Sequence, residues 1–259
     1  MKKRPVRNEC FYTTPDNVEW CLDTLDLSGF DLIVEPSAGA GAFSSQIPGC
    51  VAMDIDPQGP GIEKRDFFDY MPDTEKYHKI LTVGNPPFGR QASLAIKFIK
   101  HAAKFSDTIA FILPNSFYKE SMVAKLPREV VPEFSTDLDD NMFIDGDTQR
   151  IIPCSFFVFN THSGLREPPK VYTTEDFKFV KKSDNPDNSI RRVGFYSGRI
   201  ESPDASDQSH YFVKWLNPNA KQRFSKIKWV CDNTVGPRSI SKNEMIAAYL
   251  GVPGYKRTC

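Results

Sequence analysis

The chain has 259 residues, 40% hydrophobic and 25% charged, with 33 basic and 33 acidic side chains and a net charge of zero. This balance excludes a disordered or fibrous protein and suits one large globular domain or a domain with an appendage. The neutrality hides an asymmetry: residues 1–165 carry 16 Lys and Arg against 23 Asp and Glu (−7), and residues 166–259 carry 17 against 10 (+7).

In chain order, DNVEWCLDTLDL (16–27) has apolar side chains near helical spacing, with Asp16 as N-cap. DLIVEP reads as a buried strand entering the small-residue loop SAGAGAF, with a helix to follow. CVAMDIDP supplies a second strand, Cys50 to Ile55, closed by an acidic turn, and KRDFFDY a short third segment. HKILTVGNPPF is a strand that stops at two prolines, which cannot donate to a sheet ladder. QASLAIKFIKHAAKF is an amphipathic helix, and TIAFILP is the continuous apolar run of a strand covered on both faces. IIPCSFFVFN (151–160) adds a late strand. Strands alternating with helices predict an α/β fold with a mostly parallel, doubly wound, Rossmann-like sheet.

Beyond residue 165 the texture changes. REPPK marks a boundary, and FKFVKK, IRRVGFYSGRI, HYFVKWL and KIKWVC read as short β pieces, giving a smaller, mainly β region over residues 166–259. SKNEMIAAYLG offers Ser241 as N-cap, Glu244 as its capping-box partner and Gly251 as the stop.

Two loops carry the chemistry. Gly39 and Gly41 follow a strand directly, where backbone can approach a ligand closely, and Asp54 and Asp56 end the next strand, where an acid can accept ribose hydroxyls. Ser44 stands where a dinucleotide fingerprint needs Gly or Ala, so a phosphate-free adenosine cofactor fits better than NAD. In GNPPFG, Asn85, Pro86, Pro87 and Phe88 form a stiff turn at a strand end.

Taken in order, FYTTP, VEPSAGAGAF, MDIDP, RDFF and GNPPFG resemble the successive motifs of S-adenosylmethionine-dependent adenine-N6 methyltransferases of the γ class, over about the first 165 residues. The resemblance implies a catalytic domain over residues 1–165 and a basic target-recognition region over 166–259. It implies S-adenosylmethionine as cofactor, with Tyr12 and Thr13 at its methionine end and Glu35 on its amino group. Pro36, Ser37, Ala38, Gly39 and Gly41 would pack beside it, Asp54 would take the ribose and Ile55 lie against the adenine ring. Asp66 would accept from the exocyclic amine, and Phe67 would pack or donate from its backbone. Asn85, Pro86, Pro87 and Phe88 would be catalytic, with Asn85 Oδ1 and the Pro86 carbonyl gripping the target amine and Phe88 stacking on the base. The family's usual Phe-x-Gly-x-Gly core appears here as SAGAG.

Asn115, in FILPNSF, is expected over the same cleft as a substrate contact, and Phe88 shares that role. In the C-terminal region Arg191, Arg192, Arg199, Lys221, Arg223, Lys226 and Lys228 lie among Phe195, Tyr196, Tyr211, Trp215 and Trp229. Bases for phosphates and rings for nucleobases make a nucleic-acid surface; equally, rings in short strands form core, which is the expectation for Trp215 and Trp229. Arg191 and Arg192 are the expected nucleic-acid contacts. The expected activity is adenine-N6 methylation of DNA, with RNA or a non-catalytic binding subunit as alternatives.

Six scattered cysteines without a Cys-x-x-Cys pair, and four histidines without ligand spacing, predict no metal and a reducing compartment. No apolar run approaches the ~20 residues a membrane span needs, and the start MKKRPVRNECFYTTP lacks an apolar leader core. The expectation is a soluble intracellular protein, cytoplasmic or nuclear.

Overall fold

The protein is described by a computed structural model, which covers residues 13–138, 142–145, 148–151, 153–229 and 239–252. The chain divides into two compact units between Pro168 and Pro169.

The first unit opens with α1 (Pro15–Asp23), which has Pro at its first position and ends four residues before the predicted limit. Its cap is Thr14, whose side chain accepts from Asn17 N–H, and not Asp16, which sits inside the first turn. Pro15 explains the shift, because its fixed φ and missing N–H suit the first helical position and put the cap one residue earlier. Then come β1 (Leu32–Glu35), β2 (Val51–Asp54), β3 (Glu63–Lys64), β4 (Ile80–Gly84), α2 (Ser93–Ala102) and β5 (Thr108–Pro114). The helix expected after SAGAGAF is absent: residues 36–49 are a chain of turns, broken by left-handed glycines at Gly39, Gly41 and Gly49. After α3 (Glu120–Val123) come β6 (Val131–Asp137), the hairpin strands β7 (Met142–Asp145) and β8 (Thr148–Ile151), and β9 (Cys154–Asn160).

These strands form a seven-stranded sheet, order β3-β2-β1-β4-β5-β9-β6, with β7 and β8 paired apart from it. The first five strands are mutually parallel, whereas β9 runs antiparallel between β5 and β6. All five residues of β4 and all seven of β5 are buried, which is why both read as unbroken apolar runs. The outer strand β6 is mostly exposed and carries Pro132 and a bulge, devices that discourage further strand pairing. The fold is the expected doubly wound, Rossmann-like α/β sheet, with a smaller β-rich second unit.

That unit holds β10 (Phe177–Val180), β11 (Asn188–Arg191), β12 (Ile200–Glu201) and β13 (His210–Trp215) in an antiparallel sheet ordered β10-β13-β11-β12. Among its described residues are also two α-helices, α4 (Ala220–Ser225) and α5 (Lys242–Leu250). Phe177, Phe224 and Tyr249 form the aromatic centre of its core, and Trp215 and Trp229 pack against that core half-buried. The capping box of Ser241 and Glu244 and the left-handed Gly251 stop are present as read from the sequence. Residues 226–229 of the predicted strand KIKWVC form no strand, and its last two residues lie outside the described ones. Among the described residues no helix is long and apolar enough to cross a membrane.

Candidate active site at the sheet switch point

In the order β3-β2-β1-β4-β5 the winding reverses between β1 and β4. The carboxyl ends of two parallel strands diverge at such a point, and the crevice between their loops is where open α/β sheets bind ligands. Glu35 ends β1, Asp54 ends β2 and Gly84 ends β4, so both sequence-predicted loops start from this edge. The strand ends approach closely: a Cβ added to Gly84 would stand 3.4 Å from Glu35 Cγ.

The carboxylates shape the glycine loop. Glu35 is 1% exposed. Its Oε1 accepts from Phe43 N–H (3.2 Å) and its Oε2 from Ser44 N–H (2.7 Å). Burial pushes its carboxyl pKa up against those hydrogen bonds, which pull it down. Asp54 Oδ2 accepts from Gly39 N–H and Oδ1 from Asp56 N–H, both at 2.8 Å. Gln58 N–H donates to Gly39 O at 2.8 Å, and Gly59 packs so tightly that an added Cβ would lie 2.5 Å from Ala40 O. A loop with few side chains is thus fixed through its backbone from three directions. Pro36, Ala38 and Gly41 are buried, while Ser37 and Gly39 are half-buried. On Gly39's open side an added Cβ would meet no atom of the described residues within 4 Å.

Other predicted cofactor residues divide in the same way. Ile55 is 60% exposed beside Asp54. Asp66 is exposed and caps the following turn by accepting from Phe68 N–H at 2.9 Å. The Phe67 side chain is committed to the core, stacked on Phe98 at 5.3 Å, which leaves its backbone for any contact. Tyr12 lies outside the described residues.

Asn85 is the junction of the site. Its Nδ2 donates to Thr13 Oγ1 at 3.1 Å, and its backbone carbonyl accepts from Ser37 Oγ at 3.3 Å. The N-terminal segment, the glycine loop and the Asn-Pro-Pro-Phe turn therefore meet on one residue. Pro86 is buried and Pro87 half-buried. Phe88 is only 4% exposed, within the core cluster.

Directly after the turn the backbone is left-handed at Gly89 (φ 66°), Gln91 (φ 55°) and Ala92 (φ 58°). Two non-glycine residues in that region cost about 1–2 kcal/mol each, strain that tends to persist where a site demands it. Gly89 itself serves helix entry, since an added Cβ would meet Leu94 Cβ at 2.9 Å.

Asn115 follows β5 on the same sheet edge, one strand over from Asn85. Ser155 Oγ, with one proton to give, lies 2.8 Å from Asn115 Oδ1 and 2.7 Å from Asp137 Oδ1, and Tyr118 OH donates to the same Asp137 oxygen. Sequence reading found Asn115 but not this network, whose members are far apart in the chain. The links through Ser37, Gln58 and Gly59 were missed for the same reason.

Arg191 and Arg192 belong to the second unit, and both guanidiniums are engaged. Arg191 forms a two-pronged pair with Glu201 (2.8 and 3.2 Å), which also meets His210 Nε2 at 3.0 Å. Arg192 Nη2 donates to Gln208 O at 2.7 Å and its guanidinium lies over the Tyr211 ring.

No family model matches the sequence, and no curated protein matches it. Among solved structures, one similar chain is a protein from Pyrococcus horikoshii provisionally named an RNA methyltransferase, at 17% identity and TM-score 0.44, covering 61% of this chain and 90% of that one. Another is the modification subunit of a provisionally named type I restriction enzyme from Vibrio vulnificus, at 15% identity and TM-score 0.47, covering 95% of this chain and 62% of that one. A third, EvdMO1, has 13% identity and TM-score 0.32 over 61% of this chain and 44% of its own. At TM-scores below 0.5 these likenesses carry no functional argument, which is left to the chain's own residues.

Proposed function

We propose that the protein transfers a methyl group from S-adenosylmethionine to the exocyclic N6 of adenine in nucleic acid, with DNA favoured and RNA the alternative substrate. The observation that carries this reading is the Asn85–Phe88 turn at the switch point, with Asn85 hydrogen-bonded to both Thr13 and Ser37. The residues present fit the donor: open space beside Gly39, an exposed apolar Ile55 next to Asp54, and an exposed Asp66. Thr13, Glu35, the loop from Pro36 to Gly41, Asp54, Ile55, Asp66 and the Phe67 backbone would hold it. When bound, S-adenosylmethionine supplies an electrophilic methyl group.

The chain's own part is to make a poor nucleophile attack. An adenine amine has its lone pair delocalised into the ring. Two acceptors on its two hydrogens draw the nitrogen towards tetrahedral geometry and free that pair. Asn85 Oδ1 and the Pro86 carbonyl are those acceptors, and proline stiffness together with the Thr13 and Ser37 bonds keeps them within near-attack tolerance. Phe88 would stack on the base, worth roughly 1–3 kcal/mol. Its burial requires that its cover move aside when substrate enters. A paired adenine must also leave its duplex, whereas a single strand has only to be captured. The first unit is thus assigned catalysis and the basic second unit target recognition.

The test offers labelled donor with duplex DNA, single-stranded DNA and RNA in parallel, followed by digestion to nucleosides. Label on N6-methyladenine is the expected result, abolished by Asn85→Ala with donor binding retained. Label on protein alone, or near wild-type transfer by Asn85→Ala, removes the proposal.

A further inference from the structure

Residues 193–199 leave the β11–β12 hairpin as a closed loop. Arg191 N–H donates to Arg199 O (2.9 Å) and Gly198 N–H to Arg191 O (2.7 Å), tying its base. Ser197 N–H to Gly194 O (3.0 Å) and Arg199 N–H to Tyr196 O (3.1 Å) close it internally, with Gly194 and Gly198 left-handed. The tip of this braced loop displays two large rings, Phe195 (76% exposed) and Tyr196 (58% exposed), perpendicular to each other at 5.2 Å. Rings so exposed add little to a core, and adjacent ones mark a contact surface.

Beside the tip lies a cavity of about 360 Å³ lined by Tyr196, Gly198, Arg199, Ser225, Ile227 and Trp229, among others. Gly198 lets the Trp229 indole rest on bare backbone: an added Cβ would stand 2.2 Å from Trp229 Cδ1. The Arg199 guanidinium lies 5.6 Å from the Tyr196 ring centre. Among the described residues no carboxylate lines the cavity, and exposed Lys226 and Lys228 flank Ile227 in the chain. Arg191 and Arg192 are engaged with Glu201 and Gln208; among the described lining residues Arg199 is the cation, and Lys226 and Lys228 are exposed in the chain segment that contributes Ser225, Ile227 and Trp229.

We propose that this cavity and the Phe195–Tyr196 tip bind a nucleotide of single-stranded nucleic acid, its base against Tyr196 and Trp229 and its phosphates near Arg199, Lys226 and Lys228. The proposal rests on the nucleic-acid reading above and deepens it. Each element has its counterpart in the ligand. Aromatic faces suit an unstacked base, which a single strand offers and a duplex hides. Arg199 at the cavity and the exposed lysines beside Ile227 suit the phosphates. The volume lies at the low end of the roughly 300–1,000 Å³ of ligand pockets, the scale of one base with its sugar.

The test is fluorescence anisotropy of the full chain with labelled single-stranded DNA, single-stranded RNA and duplex DNA, between about 50 and 200 mM salt. Single strands should bind more tightly than duplex, and the stronger of the two single-stranded arms identifies the source. Tyr196→Ala should weaken binding roughly 5- to 100-fold. Arg199→Ala should lower the magnitude of the salt slope by about one. Gly198→Ala, whose methyl group would displace Trp229, should weaken binding as well. Tyr196 and Arg199 are exposed, so their removal leaves the fold intact, checked by circular dichroism. Unchanged affinity in the Tyr196→Ala, Arg199→Ala double variant, or duplex binding as tight as single-strand binding, overturns the site. Donor uptake by calorimetry separates the two ideas. Wild-type methyl transfer with oligonucleotide binding insensitive to these variants sinks this site alone. Sensitive binding without transfer to any substrate leaves the site standing and sinks the catalytic reading.

Discussion

Replacing Glu35 by alanine tests whether this carboxylate is a scaffold for the glycine loop or solely a ligand contact. Its two oxygens accept Phe43 N–H at 3.2 Å and Ser44 N–H at 2.7 Å, at 1% exposure. Alanine strands both donors, at about 1–3 kcal/mol each. Against this, burial pushes the Glu35 pKa up, so the ionised group is held at a cost that the substitution relieves. The net loss is therefore about 2–4 kcal/mol. For a unit of this size each kcal/mol moves the midpoint by about 2–4 °C, so the transition should fall by roughly 5–15 °C. Scanning calorimetry without any donor present is the assay. A midpoint within about 1 °C of wild type, with donor binding abolished, would refute the scaffold argument and make Glu35 a ligand contact alone.

Gly59→Ala should push Ala40 and its loop aside by about half an ångström, because the added Cβ would begin 2.5 Å from a backbone oxygen; donor affinity measured by calorimetry should drop while the second unit keeps its own transition. Arg191, first, and then His210 hold the Glu201 pKa below its ordinary 4.5. The stability this gives is present above that value and lost as pH falls through the lowered one, so urea midpoints should drop on acidification, and Glu201→Gln should flatten that limb. Burial pushes the Cys21 and Cys50 thiols up to about 12 and Cys154 higher still. At pH 8 the thiolate fraction at such a site is about one in ten thousand, so peptide mass spectrometry should find the three unalkylated in native protein and alkylated in urea. Native-state labelling of Cys154 at the unfolded rate would contradict its burial.

What was legible in the sequence follows from the range of the forces involved. TIAFILP and KILTVG announce buried strands because full burial leaves no polar alternation. The Ser241–Glu244 box could be read because both halves of its hydrogen-bond exchange lie within four residues. By contrast, the helix expected after SAGAGAF failed because the loop takes its shape from Glu35, Asp54 and Gln58, which supply the bonds a helix would make internally. Asp16 lost the cap to Thr14 through the geometry of a single proline. Arg191 and Arg192 stand out in the sequence as cations among aromatic rings, but their partners do not: Glu201, ten residues from Arg191, and the Gln208 carbonyl engage them. Charge is written in the sequence, but its neutralisation depends on which strands pair.

The same contrast explains the composition of the candidate site. Its carboxylates, Glu35 and Asp54, are both turned to backbone N–H groups, where an anion forms strong bonds and fixes a loop that has almost no side chains. The group proposed to meet the reacting amine, Asn85, is a neutral amide whose Nδ2 donates to Thr13, while the residue's backbone carbonyl accepts from Ser37. That division has a physical logic. A carboxylate at the amine could be protonated or could pair with a neighbouring cation, changing its reach with pH. An amide has fixed donor and acceptor ends; the Thr13 hydroxyl orients its donor end and the Ser37 hydroxyl holds the backbone behind it, neither adding charge. Positioning supplied by neutral groups and scaffolding supplied by carboxylates, Glu35 buried and Asp54 half-buried, keep the two tasks separate. Asn85→Asp, which keeps the shape and adds the charge, is therefore expected to bind donor yet transfer poorly at neutral pH. Rapid transfer by that variant would mean that neutrality at this position is incidental.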